Sequence, residues 1–173
     1  MKTILNQIHR LDLRVSFFMI SLYHHHVLNR IMKFISSCGD FGIIWLIIIL
    51  LTNVIPAARS MSIHMLMALI VSALIGQISI KSLIKRKRPC HLYPEVQLLV
   101  PTPNDSSFPS SHTTSSFACS TILFLFFPTY GLFAYLFALL IGLSRIYLFV
   151  HFLSDVICGM ILGISIGILI YLI

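Results

Sequence analysis

The feature that most constrains this chain is a series of long apolar stretches that carry almost no charge. Of its 173 residues, 58% are hydrophobic and only 10% are charged, and the mean hydropathy is +0.97. A water-soluble domain of this length could not cover so much apolar surface, so the composition is typical of a protein that crosses a membrane several times. Because no Ser/Gly-rich or Pro-rich linker divides the sequence, we expect one compact bundle.

Five stretches are apolar enough to be membrane spans, for which a helix needs about 20 residues. They are residues 41–58, 60–80, 112–127, 129–144 and 156–173. The third and fourth stretches are short, so we expect each to gain a turn from its polar flanks. The sequence therefore predicts an all-α, multi-pass transmembrane helix bundle, with residues 41–173 as its membrane-embedded core.

The first forty residues predict a different kind of element. The apolar run 15–23 covers only nine residues, and three histidines, His24, His25 and His26, follow it. A helix that lies in the membrane interface, or a half-inserted hairpin, fits residues 1–40 better than a full span, although a sixth crossing stays open. Three consecutive residues point in different directions on a helix, so a solvated turn is favoured over a metal site.

The net charge of +7, from 12 Lys and Arg against 5 Asp and Glu, fits phosphate ligands, anionic lipid headgroups or nucleic acid. Aromatic residues do not alternate with the cations, so we expect no nucleic-acid partner. The four cysteines are scattered at positions 38, 90, 119 and 158, without a Cys-x-x-Cys spacing. This pattern favours small buried residues over metal or redox chemistry.

Seven polar residues after position 80 lie at the ends of predicted spans. They are Lys81, Arg88, Ser110, His112, Arg145, His151 and Asp155. Because successive spans alternate in direction, all seven are expected on one side of the membrane. Ionisable groups at membrane depth are costly and indicate function. By contrast, the neighbouring Lys85, Arg86 and Lys87 are explained as a basic flank at the membrane surface.

The spacing of these residues indicates phosphoryl transfer. His151 and Asp155 are four residues apart, so they share a helix face, and a carboxylate there can orient an imidazole. The residues after Pro109 open a helix, whose first N–H groups attract phosphate. Few acids lie near this layer after position 80, namely Glu95, Asp105 and Asp155. A two-metal phosphatase needs bridging carboxylates, so we expect a metal-independent reaction with no cofactor.

Three motifs in this layer resemble those of the type-2 phosphatidic acid phosphatase family, which is related to the vanadium haloperoxidases. The family pattern is Lys-x6-Arg-Pro, then Pro-Ser-Gly-His, then Ser-Arg-x5-His-x3-Asp. This chain has them at residues 81–89, 109–112 and 144–155, in the same order and with the same internal spacing. Ser111 stands where the family has Gly, but a serine keeps the backbone N–H, so we expect activity to be retained. The similarity covers roughly residues 40–173.

The resemblance implies a role for each matching residue. His151 would attack phosphorus and form a phosphohistidine, with Asp155 orienting it, and His112 would protonate the leaving oxygen and then activate water. The phosphate would be bound by Lys81, Arg88, Arg145, the Ser110 hydroxyl and the backbone N–H of Ser111. These groups would neutralise charge on the transferred phosphoryl group. Nearby cations lower the pKa of His151 and Asp155 raises it, and the sequence leaves that balance open.

The leading hypothesis is an enzyme, a metal-independent membrane lipid phosphate phosphatase. The resemblance to small family members suggests a polyprenyl diphosphate such as undecaprenyl diphosphate as substrate, with phosphatidate or phosphatidylglycerophosphate as the alternative. A hypothesis of another class is a non-catalytic protein that binds lipid or assists assembly, and the intact His112, His151 and Asp155 argue against it.

Sidedness and helix packing are two further expectations. The resemblance implies a cell-membrane enzyme with an extracytoplasmic site, whereas the Lys and Arg bias taken alone favours the cytoplasmic side. Gly159, Gly163 and Gly167 continue the four-residue spacing of the last helix. Small residues at this spacing let helix backbones approach closely, and we expect this packing to occur within the bundle rather than in a dimer.

Overall fold

The structure is a computed structural model that describes residues 2–173, and over that range it is helical and contains no β-strand. The α-helices are α1 Lys2–Ser21, α2 His26–Cys38, α3 Ile43–Asn53, α4 Arg59–Ser72, α5 Lys81–Leu83, α6 Pro89–Leu92, α7 Ser111–Phe126, α8 Pro128–Tyr147 and α9 Leu153–Tyr171. A π-helical segment, Ala73–Ile80, joins α4 to α5 without a break. The predicted all-α fold class is confirmed.

Three described helical segments are long and apolar enough to cross a membrane. They are Pro56–Leu83, Pro128–Tyr147 and Leu153–Tyr171. The helical segments His26–Cys38 and Asp40–Asn53, bent by 52°, form a fourth if they are counted as one span. Helix α8 extends its predicted stretch at the carboxyl end, as expected, whereas α7 stays at 16 residues. At 1.5 Å per residue, α7 is about 24 Å long and shorter than the hydrocarbon core.

Helix α7 occupies the centre of the bundle and packs most extensively against α9, α8 and α4. Its sequence is rich in Ser, Thr, Ala and Cys, and small side chains allow neighbouring helices to approach closely. The Thr114 and Thr121 hydroxyls donate to carbonyls one turn earlier, and Ser116 accepts a hydrogen bond from Trp45 at 3.0 Å. The polar groups of this central helix are therefore largely satisfied inside the bundle, and its N-terminus lies in the layer that holds the predicted site.

The glycine stripe of α9 faces α7. A Cβ added at Gly163 would lie 2.4 Å from the Thr114 carbonyl oxygen, and one at Gly167 would lie 2.5 Å from Thr121 Cβ. Such distances leave no room for a side chain. The expectation that the stripe packs within the bundle is confirmed.

Helix α1 has an unusual distribution of side chains. Asp12 and Ser16 are buried, whereas Ile4, Leu5 and Phe18 are each about 60% exposed. The fully buried positions of α1 are thus polar, although Met19 and Phe17 also pack against the bundle, and several large apolar side chains point outward. His24 and His25 lie in the turn between α1 and α2, and all three consecutive histidines are exposed, in agreement with the predicted turn.

Candidate active site

Lys81 and Arg88 meet at a shared carboxylate, Asp105. Lys81 ends the long segment begun by α4, and its Nζ lies 2.5 Å from Asp105 Oδ2. Arg88, at the start of α6, donates from Nη2 to Asp105 Oδ1 at 2.6 Å. Partial burial raises the pKa of Asp105, but the bonds to Lys81 and Arg88 outweigh it and lower that pKa to about 2. The first motif therefore forms a compact cationic site, held together by a carboxylate from the following loop.

His151 lies in the short connection between α8 and α9 and is 1% exposed. Its Nε2 is 3.0 Å from Arg88 Nη1. A guanidinium can only donate, so Nε2 accepts, and the ring is the neutral tautomer with its proton on Nδ1. Burial, followed by the charges of Arg88, Arg145 and Lys81, holds the pKa of His151 well below its usual value. The sequence left open whether the nearby cations or Asp155 would dominate the pKa of His151. In the structure, burial and the cations dominate, and the imidazole is neutral.

Asp155 lies behind His151, but the prediction that the two residues share a helix face is wrong, because His151 precedes α9. The carboxylate does not bond to the ring in this structure. His151 Nδ1 is 3.7 Å from Asp155 Oδ2, which is too long for a hydrogen bond, and Nδ1 has no other partner. The carboxylate instead accepts from the Phe152 N–H at 2.8 Å, from the Ser107 hydroxyl and from Arg86 Nη1 at 2.5 Å. A small movement of either side chain would bring Nδ1–H and Oδ2 into contact.

The assignment of Arg86 to a basic surface flank is wrong. Lys85 and Lys87 are exposed, as that interpretation requires, but Arg86 reaches inward to Asp155 and Asp12. The flank interpretation failed because adjacent residues in an extended segment point in different directions. Exposure is a property of the fold, so no local sequence signal separated Arg86 from its two neighbours.

Ser110 and Ser111 form the start of α7. Ser110 is fully buried, its hydroxyl accepts from Thr113 Oγ1 at 2.8 Å, and its N–H donates to the Asp155 carbonyl oxygen at 3.2 Å. No side chain caps the N-terminus of α7. The first N–H groups of the helix, including that of Ser111, consequently stay available to an anion, and the helix dipole favours one there.

His112 points away from the helix toward Asp40, a partner that the sequence analysis missed. Its Nε2 lies 2.8 Å from Asp40 Oδ1, in the bend between α2 and α3. A Cβ at Gly39 would lie 2.9 Å from His112 Cδ2, so this close approach requires glycine. A cavity of about 210 Å³ adjoins the ring. It is lined by Gly39, Phe41, Gly42, Leu69, Ser72, Ala73, Ser111, His112 and Ser115.

Arg145 is the third predicted phosphate-binding cation and is 7% exposed. Its Nη1 donates to Ser36 Oγ at 2.5 Å, while its Nε has no hydrogen-bond partner. A buried donor without a partner costs about 1–3 kcal/mol. An anion bonded to this nitrogen would remove that cost, and the charge of Arg145 already acts on His151.

The exposed carboxylate of Asp105 competes with phosphate for Lys81 and Arg88, because it bonds to both cations. We expect Asp105→Asn to lower the inhibition constant of vanadate and of inorganic phosphate by about tenfold, equivalent to about 1.4 kcal/mol. Glu95→Gln is the matched control, since it removes the same charge from an exposed position in the same loop. An unchanged or higher inhibition constant in Asp105→Asn would mean that Asp105 holds the cations in place rather than competing with the anion.

The fold and the site together define a class, namely a membrane-embedded helix bundle with clustered, buried cations beside a neutral histidine. A search of family models gives the same result, because residues 61–173 match the PAP2 superfamily. The chain belongs to that superfamily.

Individual relatives agree with this membership. The chain is 31% identical over 151 residues to "Undecaprenyl-diphosphatase BcrC" of Bacillus subtilis, covering 86% of this chain and 76% of that protein. It is 29% identical over 137 residues to "Undecaprenyl-diphosphatase" of Sulfolobus acidocaldarius, covering 79% of this chain and 66% of that protein. Among solved structures, Aquifex aeolicus LpxE superposes with a TM-score of 0.80 at 26% identity, covering 94% of this chain and 96% of LpxE.

Proposed function

We propose that this chain is a membrane lipid phosphate phosphatase that uses His151 as its nucleophile and acts on a polyprenyl diphosphate, such as undecaprenyl diphosphate. The observation that carries the proposal is the buried neutral imidazole of His151, whose Nε2 lone pair meets Arg88. A neutral imidazole among cations suits attack on a phosphate whose negative charge those cations bind.

The geometry supports a reaction in two steps. Bound phosphate would accept the hydrogen bond that Arg88 Nη1 gives to His151, and the Nε2 lone pair would then be free. That nitrogen then forms a bond to phosphorus while the bond from phosphorus to the leaving oxygen breaks, and His112 gives the leaving oxygen a proton. In the second step, His112 takes a proton from water as the water oxygen attacks phosphorus, and the bond to Nε2 breaks.

Other residues would bind the phosphate and orient the nucleophile during both steps. The cations that neutralise the phosphoryl oxygens are Lys81, Arg88 and Arg145. The Ser110 hydroxyl and the Ser111 N–H complete the cradle. Asp155 accepts a hydrogen bond from Nδ1–H of His151, which stabilises the positive charge that the ring gains. Each of these residues lies in the layer described above, and the Ser110 hydroxyl can donate to a phosphate while it still accepts from Thr113.

The choice of a polyprenyl diphosphate is supported by the printed names of two relatives, both undecaprenyl-diphosphatases. In the region that the structure describes, no three His, Cys, Asp or Glu side chains group closely enough to hold a metal ion. We therefore propose a reaction that needs neither metal nor cofactor.

A substrate panel with purified full-length protein tests this function. We expect faster release of phosphate from undecaprenyl diphosphate than from phosphatidate or phosphatidylglycerophosphate, with activity retained in excess EDTA. Turnover that is faster on glycerophospholipid phosphates would change the substrate assignment, and loss of turnover on chelation, restored by Mg²⁺, would contradict the metal-free mechanism. No turnover on any member of the panel would favour the non-catalytic alternative.

We also propose an arrangement in the cell membrane, with residues 1–40 as an interfacial helical region and 41–173 as the phosphatase core. The family resemblance supports an extracytoplasmic site. Four cations of the site layer bond to partners inside the protein, namely Lys81, Arg86, Arg88 and Arg145. They are therefore not counted when the distribution of Lys and Arg is used to assign the cytoplasmic side. Labelling of Lys87→Cys and Arg59→Cys in intact cells with an impermeant maleimide tests the orientation, because an extracytoplasmic site requires label on Lys87→Cys only.

A further inference from the structure

The proposed mechanism leaves unused a network that joins helix α1 to the residue behind the nucleophile. We propose that Arg86 and Asp12 are positioning residues that fix the Asp155 carboxylate behind His151, so that α1 is part of the catalytic apparatus. This inference rests on the proposed function, because Asp155 has a catalytic task only if His151 is the nucleophile.

Arg86 forms the centre of this network, between two buried carboxylates. Its Nη1 lies 2.5 Å from Asp155 Oδ1, and its Nη2 lies 2.8 Å from Asp12 Oδ2. The guanidinium carbon is 4.5 Å from the ring centroid of Phe152, a distance that adds a cation–π attraction. Because these contacts restrain the guanidinium from three sides, Arg86 can act as a rigid support for Asp155.

Asp12 extends the network to the first turn of α9. Its Oδ1 accepts from the Ser154 N–H at 2.9 Å, and its Oδ2 accepts from the Ser154 hydroxyl at 2.7 Å. Asp12 therefore binds both Arg86 and the residue that precedes Asp155. A carboxylate also suits the N-terminal turn of a helix, where the dipole is positive.

The burial pattern of α1 argues that this contact does more than attach the helix. Asp12 is 1% exposed, although burying a charge costs free energy unless it is paired. Phe17 and Met19 already give α1 apolar contacts with the bundle, so a buried charge is not needed to attach the helix. A charged contact at this position is expected if its role is to place Arg86 and Ser154.

The two oxygens of Asp155 have separate partners, which explains how Arg86 would act. Arg86 bonds to Oδ1, whereas Oδ2 is the oxygen nearest to His151 Nδ1. Among the described Lys and Arg side chains, only Arg86 forms a salt bridge with Asp155. Without it, no cation would hold Oδ1, and the carboxylate could turn away from the ring.

The other groups that face Asp155 do not substitute for Arg86. Ser107, Ser154 and the Phe152 N–H are neutral, and Cys158 lies one turn along α9. His151 is held neutral by its surroundings. Arg86 is thus the cation that holds the Asp155 carboxylate in position.

The test compares Arg86→Gln with Lys85→Gln and Lys87→Gln, which remove the same charge from exposed neighbours. We expect Arg86→Gln to lower kcat by about 10–100-fold with little change in KM, as is typical for residues that orient a catalytic group. Arg86→Lys should restore part of kcat, and Asp12→Asn should show a smaller loss of kcat of the same kind.

Three outcomes would overturn the inference. Arg86→Gln could match the two control variants, or it could raise KM without changing kcat, which would make Arg86 a substrate-binding residue. If Arg86→Gln fails to fold in a thermal melt, Asp12→Asn decides, and wild-type kcat in that variant overturns the inference. A wild-type protein without turnover would remove the proposed function and the inference with it, whereas an active wild type with an unaffected Arg86 variant overturns the inference alone.

Discussion

Replacing His151 with alanine is expected to abolish turnover, with kcat lowered by at least about 10⁴-fold. The variant lacks the only atom that forms the bond to phosphorus in the proposed mechanism, and loss of a nucleophile commonly has effects of this size or larger. His112→Ala should lose about 10²–10⁴-fold, the range for a positioned acid–base group. The measurement is phosphate release from the preferred lipid by the purified variants.

His91→Ala is the matched control, because His91 is an exposed histidine in the same polar layer and should keep wild-type turnover. Acid quenching of wild-type protein during turnover should trap a phosphohistidine that mass spectrometry assigns to His151. If His151→Ala retains more than about a tenth of the wild-type rate, or if the trapped phosphate lies on another residue, the nucleophile is assigned wrongly.

The sequence predicted positions correctly where two residues are close along the chain, or where successive spans alternate in direction. The spacing of His151 and Asp155 predicted that the carboxylate lies behind the ring, and it does, at 3.7 Å from Nδ1. The alternation of spans predicted a single polar layer, in which Lys81, Arg88 and Arg145 all act on His151. Short separation along the chain and the alternation of spans are sufficient in these cases, although His151 precedes the first turn of α9, so helix geometry does not relate it to Asp155.

The partners of these residues could not be predicted, because each contact joins distant parts of the chain. Asp40 is 72 positions from His112, and Asp12 is 74 positions from Arg86. Nothing in the local sequence around an acid shows which cation it will meet after helices pack. The chain has only five acids, so each one near a span end was a reasonable candidate for a partner of these residues. Four of the five bond to residues of this layer.

Hydropathy alone also could not predict the bend between α2 and α3 or the role of α1. A short apolar run followed by histidines suggested an interfacial region, and the outward apolar face of α1 agrees with that. Hydropathy reports where a segment can lie in a bilayer, but it does not report a single buried acid. Asp12 is therefore the feature of the N-terminal region that only the packed structure could reveal.

Substitution of Gly163 is expected to have the second large effect. A methyl group at this position would lie 2.4 Å from the Thr114 carbonyl oxygen and 3.0 Å from the Ala118 nitrogen, so even Gly163→Ala must separate α9 from α7. Overpacking of this kind costs about 1–3 kcal/mol. Gly163→Leu should be worse, with a lower Tm in detergent. Helix α9 also carries Asp155, so we expect activity to fall by about 10²-fold, the loss that a displacement of ~1 Å can cause.

Gly76→Ala provides the control for Gly163→Ala, because a Cβ at Gly76 would meet only Thr114 Cγ2, at an ordinary contact distance of 3.9 Å. This variant should keep the wild-type Tm and activity. The oligomeric state of the Gly163 variants, measured by light scattering, should equal that of the wild type, since the stripe packs within one chain. A stable and fully active Gly163→Leu would mean that α7 and α9 can separate without disturbing His151, and a change from dimer to monomer would instead assign the stripe to a subunit interface.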